Sequence, residues 1–264
     1  MAGGFDSGFQ QAYGATFARV YNERWTTFAE RVGQQIADFF SQDPKTTTAT
    51  RSLLDLCCGT GQLSREFLAR GYQVVGIDLS PHMLKYSTQN NRQAVTEGRA
   101  TFSLGDASNF RLGRPVSFAV SSFDALNHLP DNERLGSCFK CVFNSLQSPG
   151  LFVFDLNTPV GFRRRWNGME LHDNEELTLV NRSIYAEGSK HAFTSITGFV
   201  RSPDGSYERF TQKVFETAFD ITEVLGLLSE AGFTDSYVAA SHDLSAVAQR
   251  FDELDRAFFV CRRE

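Results

Sequence analysis

The chain has 264 residues, enough for one large domain or two small ones. Hydrophobic residues make up 41% and charged residues 22%, the balance of a folded chain, which excludes disorder. The 26 basic against 31 acidic residues give −5 at pH 7, and such an acidic balance offers no footprint for nucleic acid, which wants a basic surface.

The N-terminus, Met1-Ala2-Gly3-Gly4-Phe5, has neither a basic leader nor an apolar core, so no secretory signal is expected and the expected compartment is the cytoplasm. Phe17, Val20, Tyr21, Phe28, Val32 and Ile36 follow the helical repeat, and about 10–40 reads as helix with room for one break. The tract Lys45-Thr46-Thr47-Thr48-Ala49-Thr50 reads as a surface loop. Strands and helices then alternate. Ser52 to Leu56 is a short apolar strand, Gln62 to Ala69 a helix stopped by Gly71, and Gln73 to Ile77 a second strand. Ser80-Pro81 opens a helix, with serine as cap and proline in the first turn. Thr101 to Leu104 and Val116 to Ser121 are further strands. Leu135, Cys138, Phe139, Val142, Phe143 and Leu146 make an amphipathic helix that Pro149-Gly150 should end, and Leu151 to Phe154 is a buried strand. That four-residue run and its like are far shorter than the ~20 apolar residues of a membrane helix, so no membrane span is expected.

Between about 158 and 217 the rhythm breaks. Leu177 to Ala186, His191 to Arg201 and Tyr207 to Thr217 are rich in β-branched and aromatic residues, and Glu187-Gly188-Ser189 and Pro203-Asp204-Gly205 separate them as turns. They predict a three-stranded antiparallel insertion. Asp220-Ile221-Thr222-Glu223 has the form of a capping box, Gly232 stops its helix, and Thr234 to Ala240 and Ala257 to Cys261 complete the sheet. The five cysteines, two of them adjacent at Cys57 and Cys58, do not make a disulfide framework. Cys138-x-x-Cys141 sits in a helix without a second pair and reads as core; no metal site is expected.

The stretch Leu53-Leu54-Asp55-Leu56-Cys57-Cys58-Gly59-Thr60-Gly61 is a strand, a glycine turn and a helix start. Glycine lets the backbone approach a ligand closely, and the helix N-terminus offers amides to a polar group. Asp55 places a carboxylate just before the turn, which repels a pyrophosphate and suits a ligand carrying ammonium and sulfonium groups. Asp78 ends the second strand, where an acid can accept bonds from a ribose diol. Gly105-Asp106-Ala107 follows the third strand, placed to read a base edge. Phe123-Asp124-Ala125-Leu126-Asn127-His128-Leu129 follows the fourth. All four lie at strand carboxyl ends, where open α/β sheets bind ligands.

The ordered set DLCCGTG (Asp55–Gly61), VVGIDLSPHML (Val74–Leu84), FSLGDA (Phe102–Ala107), SSFDALNHL (Ser121–Leu129) and PGLFVFDLN (Pro149–Asn157) resembles the class I S-adenosylmethionine-dependent methyltransferases. The resemblance covers about 50–157 and, more loosely, 220 to the end. It implies a doubly wound, mostly parallel seven-stranded α/β sheet, here with an antiparallel β insertion. It implies S-adenosylmethionine as cofactor, S-adenosylhomocysteine as product and a small-molecule acceptor as partner. By the same resemblance Asp55, Gly59 and Gly61 hold the methionine moiety, Asp78 the ribose and Asp106 the adenine amino group, with Cys57, Leu79, Met83, Ala107 and Ser122 around them. Cysteines stand at 57 and 58 where many relatives carry glycine or another small residue. The N-terminal helices with Tyr13 and Tyr21, and the insertion, resemble a bacterial small-molecule branch in which both close over the site. The core is then 1–157 with 218–264, and 158–217 is a substrate lid.

Plainer readings stand beside these. Asp55 and Asp78 also suit strand-end caps, Asp106 an ordinary turn, and Tyr13 and Tyr21, the candidate contacts to cofactor or acceptor from the N-terminal helices, also suit helix packing. His128 is either a packed histidine or the base of a transfer that needs one. Arg163-Arg164-Arg165-Trp166 reads as a solvated charge run or as a contact for an anionic acceptor. Phe193, Phe199 and Phe210 are candidates to line the acceptor pocket. An NAD(P)-dependent oxidoreductase is the alternative enzyme, against which Asp55 and the serine at 64 in place of a third glycine both argue. A non-catalytic S-adenosylmethionine-binding protein stays open. The sequence names neither the acceptor, the methylated atom nor the oligomeric state.

Overall fold

The computed structural model describes residues 13–43, 50–240 and 242–264. The first residues of the expected N-terminal helical region, 10–12, and most of the threonine-rich loop lie outside them. Helices α1 (Ala15–Arg24) and α2 (Thr26–Gln42) meet at Trp25, so the region breaks once. Strands β1 (Ser52–Leu56), β2 (Gln73–Asp78), β3 (Ala100–Leu104), β4 (Val116–Ser121) and β5 (Leu146–Asn157) run parallel in the order 3-2-1-4-5. Helices α3 (Gln62–Ala69), α4 (Pro81–Asn90), α5 (Arg92–Thr96) and α6 (Asn132–Ser145) form the crossovers. Ser80 caps α4, its Oγ accepting from the Met83 amide at 3.2 Å, with Pro81 in the first turn as the sequence predicts.

After β5 comes α7 (Pro159–Arg165), then a separate antiparallel sheet of β6 (Met169–Asp173), β7 (Leu177–Ile184), β8 (His191–Arg201) and β9 (Tyr207–Thr217). The chain returns to the main sheet through α8 (Ile221–Ala231), β10 (Asp235–Ala240), β11 (Asp243–Val247) and β12 (Arg256–Arg263). β12 inserts antiparallel between β5 and β10, and β11 adds an edge, giving eight strands among the described residues. The seven expected strands are all present. The eighth was missed because Asp243 and Ser245 interrupt its apolar residues and only Leu244 is buried, so it shows no apolar run. β6 was missed for the same reason: none of its side chains is buried. The helix α6 ends at Ser145, before Pro149-Gly150; Leu146 already pairs with Val116, and a register shift between Val116 and Phe118 absorbs the proline and glycine inside β5. Only half of the expected capping box forms: Asp220 accepts from the Thr222 and Glu223 amides at 2.8 and 3.1 Å, while the Glu223 carboxylate accepts from Asn132 Nδ2 and ties α8 to α6.

Each face of the main sheet carries a core. Leu135, Phe139, Val142, Val224 and Leu228 of α6 and α8 pack with Phe152, Phe154 and Phe259 on one side. Ile36, Phe40 and Phe67 of α2 and α3 pack on Phe118, Val153 and Phe258 on the other, where the Phe40 and Phe118 rings stack at 4.7 Å. Two-sided coverage is what makes the sheet doubly wound. A third cluster seats α1. Ten residues are too few for a helix to stand alone in water, and Phe17 and Val20 bury against Met83 of α4 and Leu177, Leu179, Ile196 and Phe210 of the second sheet. Each fully buried side chain of this kind stabilises by about 1.5–3 kcal/mol. The helix α1 is thus a wedge between core and insertion. Its start is pinned by Ser80 Oγ donating to the Tyr13 carbonyl at 2.7 Å and by the Gly14 amide donating to Gln212 Oε1 at 3.3 Å.

Candidate active site

The strand order reverses between β1 and β4, and at such a switch point the loops after the strands part to leave a crevice. The loop after β1 turns through left-handed backbone at Cys57 (φ 60°), Gly59 (φ 53°) and Gly61 (φ 76°). The two glycines serve different needs. A Cβ on Gly59 would meet nothing within 4 Å, because the cavity lies in front of it. A Cβ on Gly61 would come to 2.6 Å from Asn91 Nδ2 and 3.0 Å from Ser87 Cα, so Gly61 is required by packing on α4. Cys57 lines the cavity, and its burial pushes the thiol pKa up, so the loop carries neutral sulfur.

Asp55, expected to hold the methionine moiety, and Asp78, expected to hold the ribose, stand in different places. Asp55 is 3% exposed and stands behind the loop, off the cavity wall, where it accepts from Ser64 Oγ at 2.5 Å. Burial pushes its carboxyl up to about 7, against the Ser64 bond that lowers it. Asp78 is on the wall. Its Oδ2 accepts from the Gly59 amide and its Oδ1 from the Ser80 amide, both at 2.8 Å, so it welds the β1 loop to the start of α4. Burial raises its pKa and these amides oppose the rise. Two carboxylate oxygens have about four lone-pair sites, which leaves room for a diol.

Asp106 lies at the other end of the cavity, with Ala107 beside it. Partial burial raises its pKa, but bonds from the Ser108 amide and hydroxyl at 2.8 and 2.7 Å and the Arg134 guanidinium at 2.6 Å prevail and hold it below the usual range. Leu79, Met83 and Ser122 complete that part of the wall. Of the expected cofactor residues, then, Tyr13, Cys57, Gly59, Asp78, Leu79, Met83, Asp106, Ala107 and Ser122 meet around one cavity, and Asp55 and Gly61 stand behind it.

After β4 the chain turns through two successive left-handed residues that are not glycine, Phe123 (φ 66°) and Asp124 (φ 51°). Such backbone costs of order 1–3 kcal/mol per residue and persists only where the surroundings over-determine it. Asp155 of β5 supplies the hold, accepting from the Phe123 amide at 2.8 Å and the Asp124 amide at 3.0 Å. Arg256 of β12 bridges the Asp155 and Asp124 carboxylates, the latter at 2.6 Å. Beyond this turn, a short 3₁₀ turn (Ala125–His128) presents His128. The Phe215 carbonyl can only accept, so His128 Nδ1 donates to it at 2.9 Å, leaving Nε2 as the acceptor that faces the Tyr13 hydroxyl at 3.3 Å. Asn127 serves the frame, donating to the Asn157 and Thr217 carbonyls and accepting from the Asn157 amide.

The cavity holds about 660 Å³, within the range of small-molecule sites. Its floor is the carboxyl edge of the main sheet. One wall is aromatic, from Phe17 and Tyr21 of α1 and Tyr13 and Trp25 at its two ends; the other is the inner face of the second sheet, with Asn181, Ser183, Thr194 and Ile196. Phe193, Phe199 and Phe210 do not line it: Phe210 packs on α1, Phe199 is exposed on the outer face, and Phe215 and Val214 of β9 take the place expected of them. Of the three arginines only Arg165 reaches the cavity; Arg163 pairs with Glu187 and Arg164 with Asp255. Cys138 is buried inside the α6 core. Sequence reasoning missed Arg256, Asp155 and Glu216. Glu216 is buried on the cavity wall, accepts from Asn157 Nδ2 at 2.9 Å, and has its pKa driven well up by burial and by the Asp124 charge. Its one sequence signal was a carboxylate beside the β-branched and aromatic residues Val214, Phe215 and Thr217 at the end of the run.

A model of the "Methyltransferase domain" family matches residues 53–150. The chain is 25% identical over 229 residues to the dTDP-3-amino-3,4,6-trideoxy-α-D-glucopyranose N,N-dimethyltransferase of Streptomyces venezuelae, covering 86% of this chain and 93% of that one. Among solved structures it superposes on an S-adenosylmethionine-dependent methyltransferase from Clostridium acetobutylicum with a TM-score of 0.76 at 21% identity, covering 94% and 97% of the two chains. On a sugar N-methyltransferase from Streptoalloteichus sp. the TM-score is 0.73 at 22% identity, with 100% and 99% covered. These likenesses leave the nicotinamide-dependent and non-catalytic alternatives without support. Residues 53–150 carry a methyltransferase domain, and the chain as a whole takes the class I fold of the S-adenosylmethionine-dependent methyltransferases.

Proposed function

We propose that this enzyme methylates an amine nitrogen on a small polar acceptor held between the main sheet and the second sheet. The carrying observation is the single cavity on which Asp78, the His128–Tyr13 pair, the half-buried Asp124 and the buried Glu216 carboxyl converge. The Streptomyces venezuelae relative, an amino-sugar N,N-dimethyltransferase, supports the choice of nitrogen. S-adenosylmethionine, when bound, supplies a methyl on a positively charged sulfur. The residues present fit it. Gly59 leaves space where a side chain would intrude, Asp78 has free lone pairs for the ribose, Leu79 and Met83 offer an apolar bed, and Asp106 lies where a base amino group can donate. Asp55, set behind the loop, braces α3 through Ser64 and adds negative potential near the donor's ammonium and sulfonium groups.

Transfer requires alignment and exclusion of water more than acid–base chemistry. The helix α1 and the 158–217 insertion act as the lid that provides both, with the cofactor held by the core. An amine arrives protonated at neutral pH and must present a lone pair. His128 Nε2 is placed to take that proton, because the Phe215 carbonyl fixes its tautomer, and the Tyr13 hydroxyl orients the acceptor beside it. The Asp124 and Glu216 carboxyl oxygens can accept hydrogen bonds from an N–H group of the acceptor in the cavity. Arg165 suits an anionic substituent on the same acceptor. The reaction is placed in the cytoplasm, where the thiols of five unpaired cysteines persist; among the described residues no helix is long and apolar enough to cross a membrane. The test is incubation with isotope-labelled S-adenosylmethionine and, separately, a metabolite extract and dTDP-3-amino-3,4,6-trideoxy-α-D-glucopyranose. Label on nitrogen in the mass-identified product supports the reading. Label on oxygen or carbon alone overturns it.

A further inference from the structure

Among the described residues three buried side-chain polar atoms have no hydrogen-bond partner: Ser121 Oγ, Trp166 Nε1 and Asn181 Oδ1. Buried polar atoms are paired in native proteins, and an unpaired one costs about 1–3 kcal/mol, so each demands a cause. Ser121 ends β4 and is not on the cavity wall. Trp166 and Asn181 both are. Neither is there by default of packing. The Trp166 ring is fixed edge-on against Phe162 at 4.7 Å, in a cluster with Tyr185 and Ala192, so rotating the indole to find another partner would break that cluster. Asn181 is the central member of a cross-strand row, Glu170–Asn181–Ile196, all three of whose residues line the cavity. Any hydrophobic residue would have served at that position had the wall only needed to exclude water.

We infer that Trp166 and Asn181 are specificity-determining residues for the acceptor: the indole N–H donates to it and the amide oxygen accepts from it. The two positions flank Gly168, which lines the wall without a side chain and leaves the surface between them open. An acceptor that satisfies both atoms carries a hydrogen-bond acceptor toward α7 and a hydroxyl or amine donor toward the middle of β7. Part of its surface is apolar, because the aromatic rings of Phe17, Tyr21 and Trp25 line the same cavity. The class that meets these terms is a hydroxylated aliphatic ring, as opposed to a bare or aromatic amine. The inference rests on the site proposed above, but it concerns the part of the acceptor away from the reacting atom.

The chain has two tryptophans, so a ¹⁵N-indole spectrum has two side-chain signals, and Trp166→Phe assigns them. The full chain saturated with S-adenosylhomocysteine is titrated with 3-amino-3-deoxy-D-glucose and with cyclohexylamine, which share a ring and an amine and differ in hydroxyls. Methyl α-D-glucopyranoside and cyclohexanol form a second pair without nitrogen. The hydroxylated member of at least one pair should bind at least tenfold more tightly than its bare partner and shift the Trp166 indole signal. Trp166→Phe, which keeps the ring packing, and Asn181→Leu, which keeps the volume, should each erase most of that preference while S-adenosylhomocysteine affinity stays within about twofold. The inference is overturned if neither hydroxylated probe is preferred, or if both variants keep the preference. Selectivity seen only in the pair without nitrogen, with no methylated amine formed, would sustain these two residues and remove the amine reading.

Discussion

The most direct test of the cofactor site is the charge at position 78. Asp78 has two tasks in the structure, holding the Gly59 and Ser80 amides at 2.8 Å each, and one proposed task, accepting from a ribose diol. Asp78→Asn keeps the shape and removes the charge. Its NH₂ group must then face one of the two backbone donors, so one loop bond is lost and the remaining oxygen accepts less strongly. Bonds to a charged group contribute about 1.5–3 kcal/mol each, and 1.4 kcal/mol is tenfold in affinity. Losing one such bond to the ribose lowers affinity about tenfold to a hundredfold; Asp78→Ala, which loses both, lowers it further. Folding should suffer less, because removing a buried charge recovers desolvation that offsets the lost loop bond. For a chain of this size 1 kcal/mol moves the melting temperature by about 2–4 °C, so the free variant should melt within a few degrees of the parent. Calorimetry with S-adenosylhomocysteine and thermal melts of the free protein give both readings. An intact variant that binds within about twofold of the parent refutes the assignment.

Asp55 yields a pH prediction. Its folded carboxyl titrates near 7, above the ordinary 3.8, so the folded state holds this proton more tightly than the unfolded state does. The stability it contributes is complete below about 4 and is lost as pH rises through about 7, with a slope of at most about 1.4 kcal/mol per pH unit. Asp55→Asn should therefore gain on the parent between pH 5 and 8 in urea unfolding; a difference constant across that range would count against the buried titration. Arg256→Met leaves Asp155 buried without its cation and should cost about 3–5 kcal/mol in the same assay; a loss under 1 kcal/mol would show that the Phe123-Asp124 turn is held by other means. His128→Asn should lower kcat by about a hundredfold or more while S-adenosylhomocysteine affinity is unchanged, since general-base help is worth roughly 10²–10⁴. Turnover within threefold of the parent would make His128 a packing residue.

Much of this protein is written locally. A strand, a glycine turn and a capped helix depend on neighbours a few residues apart, so Ser52–Leu56, Gln62–Ala69 and the Ser80 cap could be read at their observed bounds, and Asp78 and Asp106 could be placed at strand ends. Apolar runs marked the buried strands; β6 and β11, without them, went unseen. What the sequence could not decide is which side of a strand or loop each group faces once distant segments pair. Asp55 and Asp78 look alike in sequence, and only the register of β1 on β2, with α3 packed above, puts one behind the loop and the other on the cavity. Phe210 and Glu216 share one face of β9, six residues apart, and only the docking of α1 against part of that face buries Phe210 on Phe17 and leaves Glu216 on the cavity. Arg256 meets Asp124 across 132 residues of chain, and Tyr13 meets His128 across 115. No periodicity spans such distances, because these contacts exist only after the two sheets and the α1 wedge have closed on one another.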